Sequence, residues 1–452
     1  EAFAKGLNAY FAKHQYGNTI GRDLWNALGA ASGRDVAAFM DSWLEQPGYP
    51  VLTAIVENDT LKISQKQFFI GEKEEKGRLW VVPLNSNWTG IPDTLETETL
   101  EIPNYTALAA QNEGALRFNT ENTAHYITDY QGELLDNILA TITDLDNTSK
   151  LQVVQERRLL AEAGFVSFAD LIPVVERLTN ETSYLVVSAV KSVLTSLKIF
   201  VDERTETEVA FKKLLVKLNQ ANFDRLGFEA KAGETDEDEL VRQIVVANMI
   251  AADDEKASQK ASQIFEAYHD TLEKLPAATR LQILINQIKR HETKELTDKY
   301  LAKYITTVDG NFQRQLASAL SYTKNETTLT HLLEEWKNKD IVKPQDLAMS
   351  WYFTFLQHDF TQGTVWTWAR DNWDWIKAAL GGDMSFDKFV IYPASTFKTH
   401  ERLAEYKAFF EPQLSDLAIS RNISMGIKEI SARIDLIDKE KAAVEAAIKA
   451  TV

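Results

Sequence analysis

The spacing of hydrophobic residues changes once along this chain, and that change limits the folds open to it. From Pro50 to Tyr130 the pattern is that of strands. Leu61, Ile63 and Gln65 alternate with Lys62, Ser64 and Lys66, the two-residue period of a half-buried strand. Residues 67–70 continue it, 72–77 (Glu-Lys-Glu-Glu-Lys-Gly) read as a charged turn, and 78–84 as the next strand, with Pro83 at an edge or end. Shorter candidates follow at 95–102 and 115–119. Short strands separated by turns predict a small antiparallel β-sandwich of roughly 80 residues. After Tyr130 the strand signals almost vanish. Val186, Ala189, Val190, Val193, Leu194 and Leu197 keep helical spacing, as do Ile244, Ala247, Ile250 and Ala251. Asp340 stands before a helical pattern over 342–357, and Gly381-Gly382 follows the one holding Trp373 and Trp375. The pattern predicts about sixteen helices of roughly 10–20 residues, paired as hairpins without a strict repeat. About 320 residues is too many for one simple bundle core, so a curved, solenoid-like superhelix of HEAT/armadillo type is expected.

Ahead of the strands lie two amphipathic helices. Leu24, Trp25 and Leu28 share one face, Gly33 breaks the helix, and Val36, Phe39, Met40 and Trp43 mark the next. Pro50 then ends helix, because it lacks an amide hydrogen and holds Tyr49 extended. The fold class is therefore mixed and mainly α, in three parts. These are helices over 1–45, a β-sandwich over 46–130 and a helical superhelix over 131–452.

The 452 residues suffice for several domains, and 44% hydrophobic with 25% charged residues is ordinary globular composition. The net charge of −17 argues against a nucleic-acid partner or an anionic membrane surface, since both need clustered Lys and Arg. The lack of cysteine excludes disulfides and thiolate metal sites and suits a cytoplasmic setting. No apolar run reaches the roughly 18 residues of a membrane span. A chain starting at Glu1 rather than Met is expected to be an excised or processed piece.

Tyr16-Gly17-Asn18, Asp23-Leu24-Trp25 and Met40-Asp41-x-Trp43-x-x-Gln46-x-Gly48-Tyr49-Pro50-Val51 form a long ungapped motif. It resembles the end of the catalytic domain in zinc aminopeptidases of the aminopeptidase N family, where the chain passes into a β-sandwich. The likeness continues. Trp80-Val81-Val82-Pro83-Leu84 is similar to a sandwich strand of that family, Arg157-Arg158-Leu159-Leu160 to an early Arg-rich helix, and Leu226-Gly227-Phe228 with Leu240-Val241-Arg242 to a later segment. Pro344-Gln345-Asp346, Trp366-x-Trp368-x-Arg370-Asp371-Asn372-Trp373 and Ser395-Thr396-Phe397-Lys398-Thr399 follow in the same order. Ala124-His125-Tyr126-Ile127 departs from the family's Gly-Tyr-Tyr-Arg, which suggests a subgroup.

The resemblance implies a parent enzyme that removes N-terminal residues from peptides with zinc-activated water. That chemistry needs His-Glu-x-x-His on a helix plus a further Glu ligand. None of the seven histidines pairs at that spacing, and His291-Glu292-Thr293-Lys294-Glu295 places Glu295 where the second His belongs. The family's Gly-x-Met-Glu-Asn is also absent. No catalytic or metal residue is therefore assigned to this chain, and zinc is expected only in the parent. The expected partners are peptide substrates and the missing N-terminal and catalytic domains. No Gly-x-Ser-x-Gly elbow or phosphate loop occurs either.

The acidic runs Asp253-Asp254-Glu255 and 234–239 fit cation binding or, more simply, solvated helix starts. Six of the ten tryptophans lie between Trp336 and Trp375, either packing helices together or presenting an aromatic surface to peptide. Trp366 and Trp368 must diverge on a helix. The family resemblance places Thr396, Lys398 and Arg402 toward a cavity, where Lys398 and Arg402 would suit a peptide carboxylate; Arg370 is a further candidate, structural if Asp371 or Asn372 partners it. The portion would wall the active-site chamber and restrict access. A non-catalytic solenoid scaffold binding protein segments is the alternative. Truncation would leave an apolar patch of Leu24, Trp25, Leu28, Phe39 and Trp43.

Overall fold

The computed structural model describes residues 1–71, 76–383 and 385–452, so most of the expected charged turn at 72–77 lies outside the described residues. The chain forms two compact units, Glu1–Val166 and Ser167–Val452.

The first unit opens with α1 (Ala2–His14), α2 (Gly21–Ser32) and α3 (Val36–Leu44). Gly33 ends α2 at φ +71°, and its N–H reaches Gly29 O at 2.9 Å, the left-handed stop that glycine supplies without a Cβ penalty. The Asp35 carboxylate then caps α3 by accepting the Ala38 N–H at 3.0 Å. Helices α1 and α2 meet at Gly6, where a Cβ would lie 2.8 Å from Leu28 Cδ2.

Among the described residues six strands follow: β1 (Pro50–Glu57), β2 (Thr60–Gln67), β3 (Val82–Pro83), β4 (Thr94–Leu95), β5 (Thr99–Pro103) and β6 (Ile127–Tyr130). Asn58 and Asp59, at φ +50° and +59°, turn β1 into β2, the two-residue hairpin that suits strand twist. Leu61, Ile63 and Gln65 are buried along β2, as the alternation requires. The sheet order is β5-β2-β1-β6, and β6 runs parallel to β1 with Val51 opposite Ile127. The sheet is thus mixed rather than antiparallel. The long connection from β1 to β6 allows parallel entry, which a tight turn does not. Strands β3 and β4 form a separate pair, and Trp80, Val82, Leu84 and Leu95 share one core with Leu52, Ala54, Leu61 and Ile63 of the larger sheet.

Two expected strands shrink or disappear because side chains satisfy their backbone, and a third divides. The Gln65 amide donates to Trp80 O and accepts Trp80 N–H, both at 2.9 Å, so only Val82–Pro83 of 78–84 is strand. The 95–102 segment splits between β4 and β5. In 115–119, Asn87 Oδ1 accepts the Arg117 N–H at 2.7 Å and the Tyr130 hydroxyl oxygen accepts the Phe118 N–H at 2.6 Å, and no strand forms there. The helices α4 (Tyr105–Ala109), α5 (Glu133–Ala140) and α6 (Asn147–Glu162) complete the unit. Leu134 and Ile138 of α5 join the same core as the sheets.

The second unit is helical. In the helix Tyr184–Lys198 the residues at helical spacing, from Val186 to Leu197, are buried. In Asp236–Ala251 the buried face includes Val241, Ile244, Val245, Met249 and Ile250, while Ala251 is exposed. The expected 342–357 helix forms over 344–356 as one run, Pro344–Asp346, a wider π-type stretch over Leu347–Tyr352, and Phe353–Leu356. Its N-cap is Lys343, not Asp340. The last helix, Ser420–Lys449, returns to the start of the unit. Its Glu440 carboxylate accepts the Ser167 hydroxyl at 2.5 Å and the Phe168 N–H at 3.3 Å. One continuous core runs from Val187 to Ile434.

Candidate functional site

Two of the residues singled out from the sequence, Arg370 and Arg402, lie over one aromatic pair in the second unit. Trp366, on the helix Asp359–Asp371, is fully buried and meets Phe397 edge to face at 5.4 Å. A guanidinium lies over each ring: Arg370 Cζ is 5.2 Å from the Trp366 centroid, and Arg402 Cζ is 5.9 Å from that of Phe397. Such pairings gain from the negative face of the ring. Phe397 follows the helix Lys388–Thr396, and Thr399 caps the helix His400–Phe410 by accepting the Arg402 N–H at 3.2 Å. The turn between these helices therefore carries Thr396, Lys398 and Arg402 together.

Their hydrogen bonds limit what they offer. The Thr396 hydroxyl donates back to Tyr392 O at 3.1 Å. Arg402 Nη1 donates to Glu405 at 2.6 Å. Lys398 Nζ lies 3.5 Å from Asp202, which also pairs with Lys441. Partial burial works against ionisation of Asp202, yet Lys441 and Lys398 hold its carboxyl below the ordinary value. Lys398 is thus partly neutralised, while the second Nη of Arg402 points at Gly363, where a Cβ would lie 2.7 Å away. Arg370 Nη2 donates to the Thr367 hydroxyl at 3.1 Å rather than to Asp371, and Asn372 turns its amide to Trp368 O at 2.8 Å. Among the described residues, Arg370 Nε and the Tyr352 hydroxyl are buried without a hydrogen-bond partner. Burial drives the Tyr352 hydroxyl well above its usual pKa, with the Arg370 charge opposing. The arrangement is two guanidiniums stacked on a buried aromatic pair, with Arg402 Nη1 held by Glu405 and Arg370 Nε enclosed.

Sequence reasoning missed Tyr352 and Gly363. An interior helix glycine was the available signal for a close approach at Gly363; a buried tyrosine in an apolar run carries none. The tryptophans mainly pack: Trp368 meets Trp336 at 5.0 Å and Trp375 at 6.2 Å, all against the main core. The acidic runs are structural. Asp254 caps the helix Glu255–Ala267, Asp253 pairs with Lys212 and Lys289, Asp238 closes a capping box with Thr235, and Glu234 pairs with the buried Arg242.

The zinc motif's nearest likeness does not fit a metal. His291 Nε2 lies 3.4 Å from the Ser262 hydroxyl, and the Glu292 carboxylate accepts the Thr323 hydroxyl at 2.5 Å and the Lys324 N–H at 3.2 Å. Among the described residues no three His, Asp or Glu side chains gather as a metal site, and no helix is long and apolar enough to cross a membrane.

A mainly helical unit behind a small mixed sheet and a three-helix lead defines a recognisable class. The family described as ERAP1-like C-terminal domain matches residues 116–432, and the chain belongs to it. The peptidase family M1 domain matches residues 1–43. The chain is 58% identical over 450 residues to an aminopeptidase N of Lactococcus lactis subsp. lactis, covering 99% of this chain and 53% of that protein. It is 39% identical to the aminopeptidase N of Lactobacillus helveticus, again covering 99% and 53%. It is 26% identical to a puromycin-sensitive aminopeptidase of Caenorhabditis elegans, covering 99% and 49%. The chain spans about half the length of the curated relatives it matches.

Proposed function

We propose that this chain is the C-terminal portion of a zinc-dependent aminopeptidase that removes N-terminal residues from peptides in the cytoplasm. The observation that carries this reading is the order of the two family matches, M1 peptidase over 1–43 and then ERAP1-like C-terminal domain over 116–432, in a chain 58% identical to an aminopeptidase N. Residues 1–45 are the last helices of the peptidase domain, 46–130 a separate β-sandwich domain, and 131–452 a HEAT/armadillo-like superhelix that walls the active-site chamber and limits entry to peptides and unfolded chains. Thr396, Lys398, Arg402 and Arg370 face that chamber and meet the distal carboxylate of a bound peptide. What supports this is that Thr396, Lys398, Arg402 and Arg370 all stay partly exposed. Zinc and the catalytic groups belong to the rest of the parent, so this chain alone neither holds catalytic zinc nor turns over substrate.

The test compares this chain with the full-length parent on a chromogenic aminoacyl amide and on a nonapeptide. The chain alone is expected to be inactive at any zinc concentration, and the parent active. In the parent, Arg370→Ala and Arg402→Ala should raise KM for the nonapeptide several-fold and leave the aminoacyl amide unaffected. Zinc-dependent turnover by the chain alone overturns the reading, and a parent without aminopeptidase activity favours a scaffold.

A further inference from the structure

A set of cavity-lining residues lies in the first unit, away from Arg370 and Arg402. A cavity of about 190 Å³ is lined by Tyr49, His125, Tyr126, Gln152, Gln155 and Glu156, among others. Glu156, on α6, is 8% exposed. Its Oε1 accepts the Gln152 amide at 2.9 Å, and its Oε2 accepts the Thr128 backbone N–H at 3.2 Å. Both donors are neutral. The neighbouring Arg157 turns to Asp129, 3.2 Å away, in a buried ion pair. Burial pushes the Glu156 carboxyl up to about 8, the Gln152 and Thr128 bonds opposing.

A carboxyl placed this way keeps its charge only when a cation compensates it. The cavity has room for one, since its volume equals that of several waters at about 30 Å³ each. The walls suit an organic cation. The Tyr49 ring is held by Phe68 at 5.3 Å and His125 at 4.6 Å. Tyr126 sends its hydroxyl away to Leu84 O at 2.7 Å, leaving its ring to line the cavity. Aromatic faces and one carboxylate are the recognised surroundings of ammonium and guanidinium groups.

We propose that this cavity binds one organic cation, a primary ammonium or guanidinium on a narrow stem, with the Glu156 carboxylate as its counter-ion and the Tyr49 ring as its wall. Binding is coupled to a proton. The Glu156 O–H bond breaks, its proton passes to the solvent buffer, and the positive charge of the ligand replaces it. The other titratable groups facing Glu156 are Tyr126, Tyr130, His125 and the Asp129–Arg157 pair, with Lys66 near Asp129 and Arg117 near Tyr130. Burial keeps both phenols protonated through neutrality, which leaves Glu156 and the exposed His125 to be separated by experiment.

The experiment is titration calorimetry of the full chain at pH 7 in phosphate and in HEPES, with agmatine in one arm and N-acetyl-glycyl-arginyl-glycinamide in the other. One site and about 0.9 proton released per cation are expected, with affinity rising about tenfold from pH 6 to pH 7 and levelling above pH 8. Binding of agmatine alone assigns a free cation, and binding of the peptide as well assigns a basic residue. Glu156→Gln should abolish proton release and weaken binding at least tenfold. His125→Gln should leave proton release intact. Tyr49→Leu should weaken binding without changing the proton count, and it keeps the test valid if Glu156→Gln misfolds. No binding by either probe, or binding without proton release, overturns the proposal.

Discussion

Glu156 and His358 are buried titratable groups in different units, and their shifts act on stability with opposite sign. Glu156 ionises near 8 in the fold because of its burial, against an ordinary value of 4.5. The folded chain therefore holds a proton that the unfolded chain releases above pH 4.5. The stability of the first unit is full below that pH and declines as pH rises through about 8, by at most about 1.4 kcal/mol per pH unit. His358 is the reverse. The Ser321 hydroxyl donates to Ser318 O at 2.7 Å, so His358 Nε2, 3.1 Å from Ser321 Oγ, carries the hydrogen in a neutral ring. Burial, then the Lys198, Lys289 and Lys324 charges, lower its pKa from 6.5 to about 3. The unfolded chain gains a proton below pH 6.5 that the fold refuses, so the second unit loses stability as pH falls toward 3. Urea unfolding at pH 5 and pH 8.5, followed by hydrogen exchange of each unit, is expected to show the first unit weaker at pH 8.5. Glu156→Gln should remove that difference. His358→Gln should flatten the acid decline of the second unit and leave the first unchanged. Neither residue was legible in the sequence as a special group, because a Glu four residues from Gln152 on a helix looks like any solvated face.

At the scale of elements, periodicity was legible where one face is buried and silent where side chains do the pairing. The helix Tyr184–Lys198 and strand β2 follow their apolar spacing residue by residue. The 78–84 and 115–119 segments did not become full strands because Gln65, Asn87 and Tyr130 take over their backbone bonds. The family likeness pointed the loop of Thr396, Lys398 and Arg402 toward a cavity and left Arg370 a separate candidate; that Arg370 and Arg402 stack on the Trp366–Phe397 pair was not legible in their spacing. Helix packing also rests on residues that pattern reading passes over. Gly426 lies in Ser420–Lys449 against the helices Lys388–Thr396 and His400–Phe410. A Cβ there would lie 2.9 Å from Ala394 Cβ and collide with the Tyr406 hydroxyl, which donates to Val390 O at 3.1 Å. Gly426→Ala should therefore destabilise the second unit by about 1–3 kcal/mol through overpacking, despite the better helix propensity of alanine. Tyr406→Phe in the same background should recover part of the loss. A Gly426→Ala melting temperature at or above that of the unchanged chain would refute the packing argument.

At the scale of the molecule, the three leading helices bury few of their residues. Gly6 and Ala37 are the buried residues of α1 and α3, and α2 has none among its described residues. Leu24, Trp25, Leu28, Phe39 and Trp43, expected to form the bare patch, are half-buried; Leu28 meets α1 at Gly6 and the Trp43 indole donates to Val81 O at 3.0 Å. The bare apolar groups are instead Phe3, Phe11, Tyr16, Ile20 and Leu44, exposed by 65%, 62%, 105%, 69% and 63%. Apolar area of this kind favours association at roughly 25 cal/mol per Å² covered. The net charge of −17 opposes it, and added salt shortens the reach of that repulsion from about 10 Å at 0.1 M to about 3 Å at 1 M. The two effects predict self-association that strengthens with salt, the opposite of an assembly held by ion pairs. Sedimentation velocity across a concentration series at 0.1 M and 1 M sodium chloride is the measurement. Phe3→Ser with Phe11→Ser should shift the equilibrium toward monomer at both salt levels, because these side chains leave exposed positions and vacate no core. A clean monomer at the highest concentration and salt, or a double variant that associates as strongly, would show that this face does not drive contact between copies of the chain.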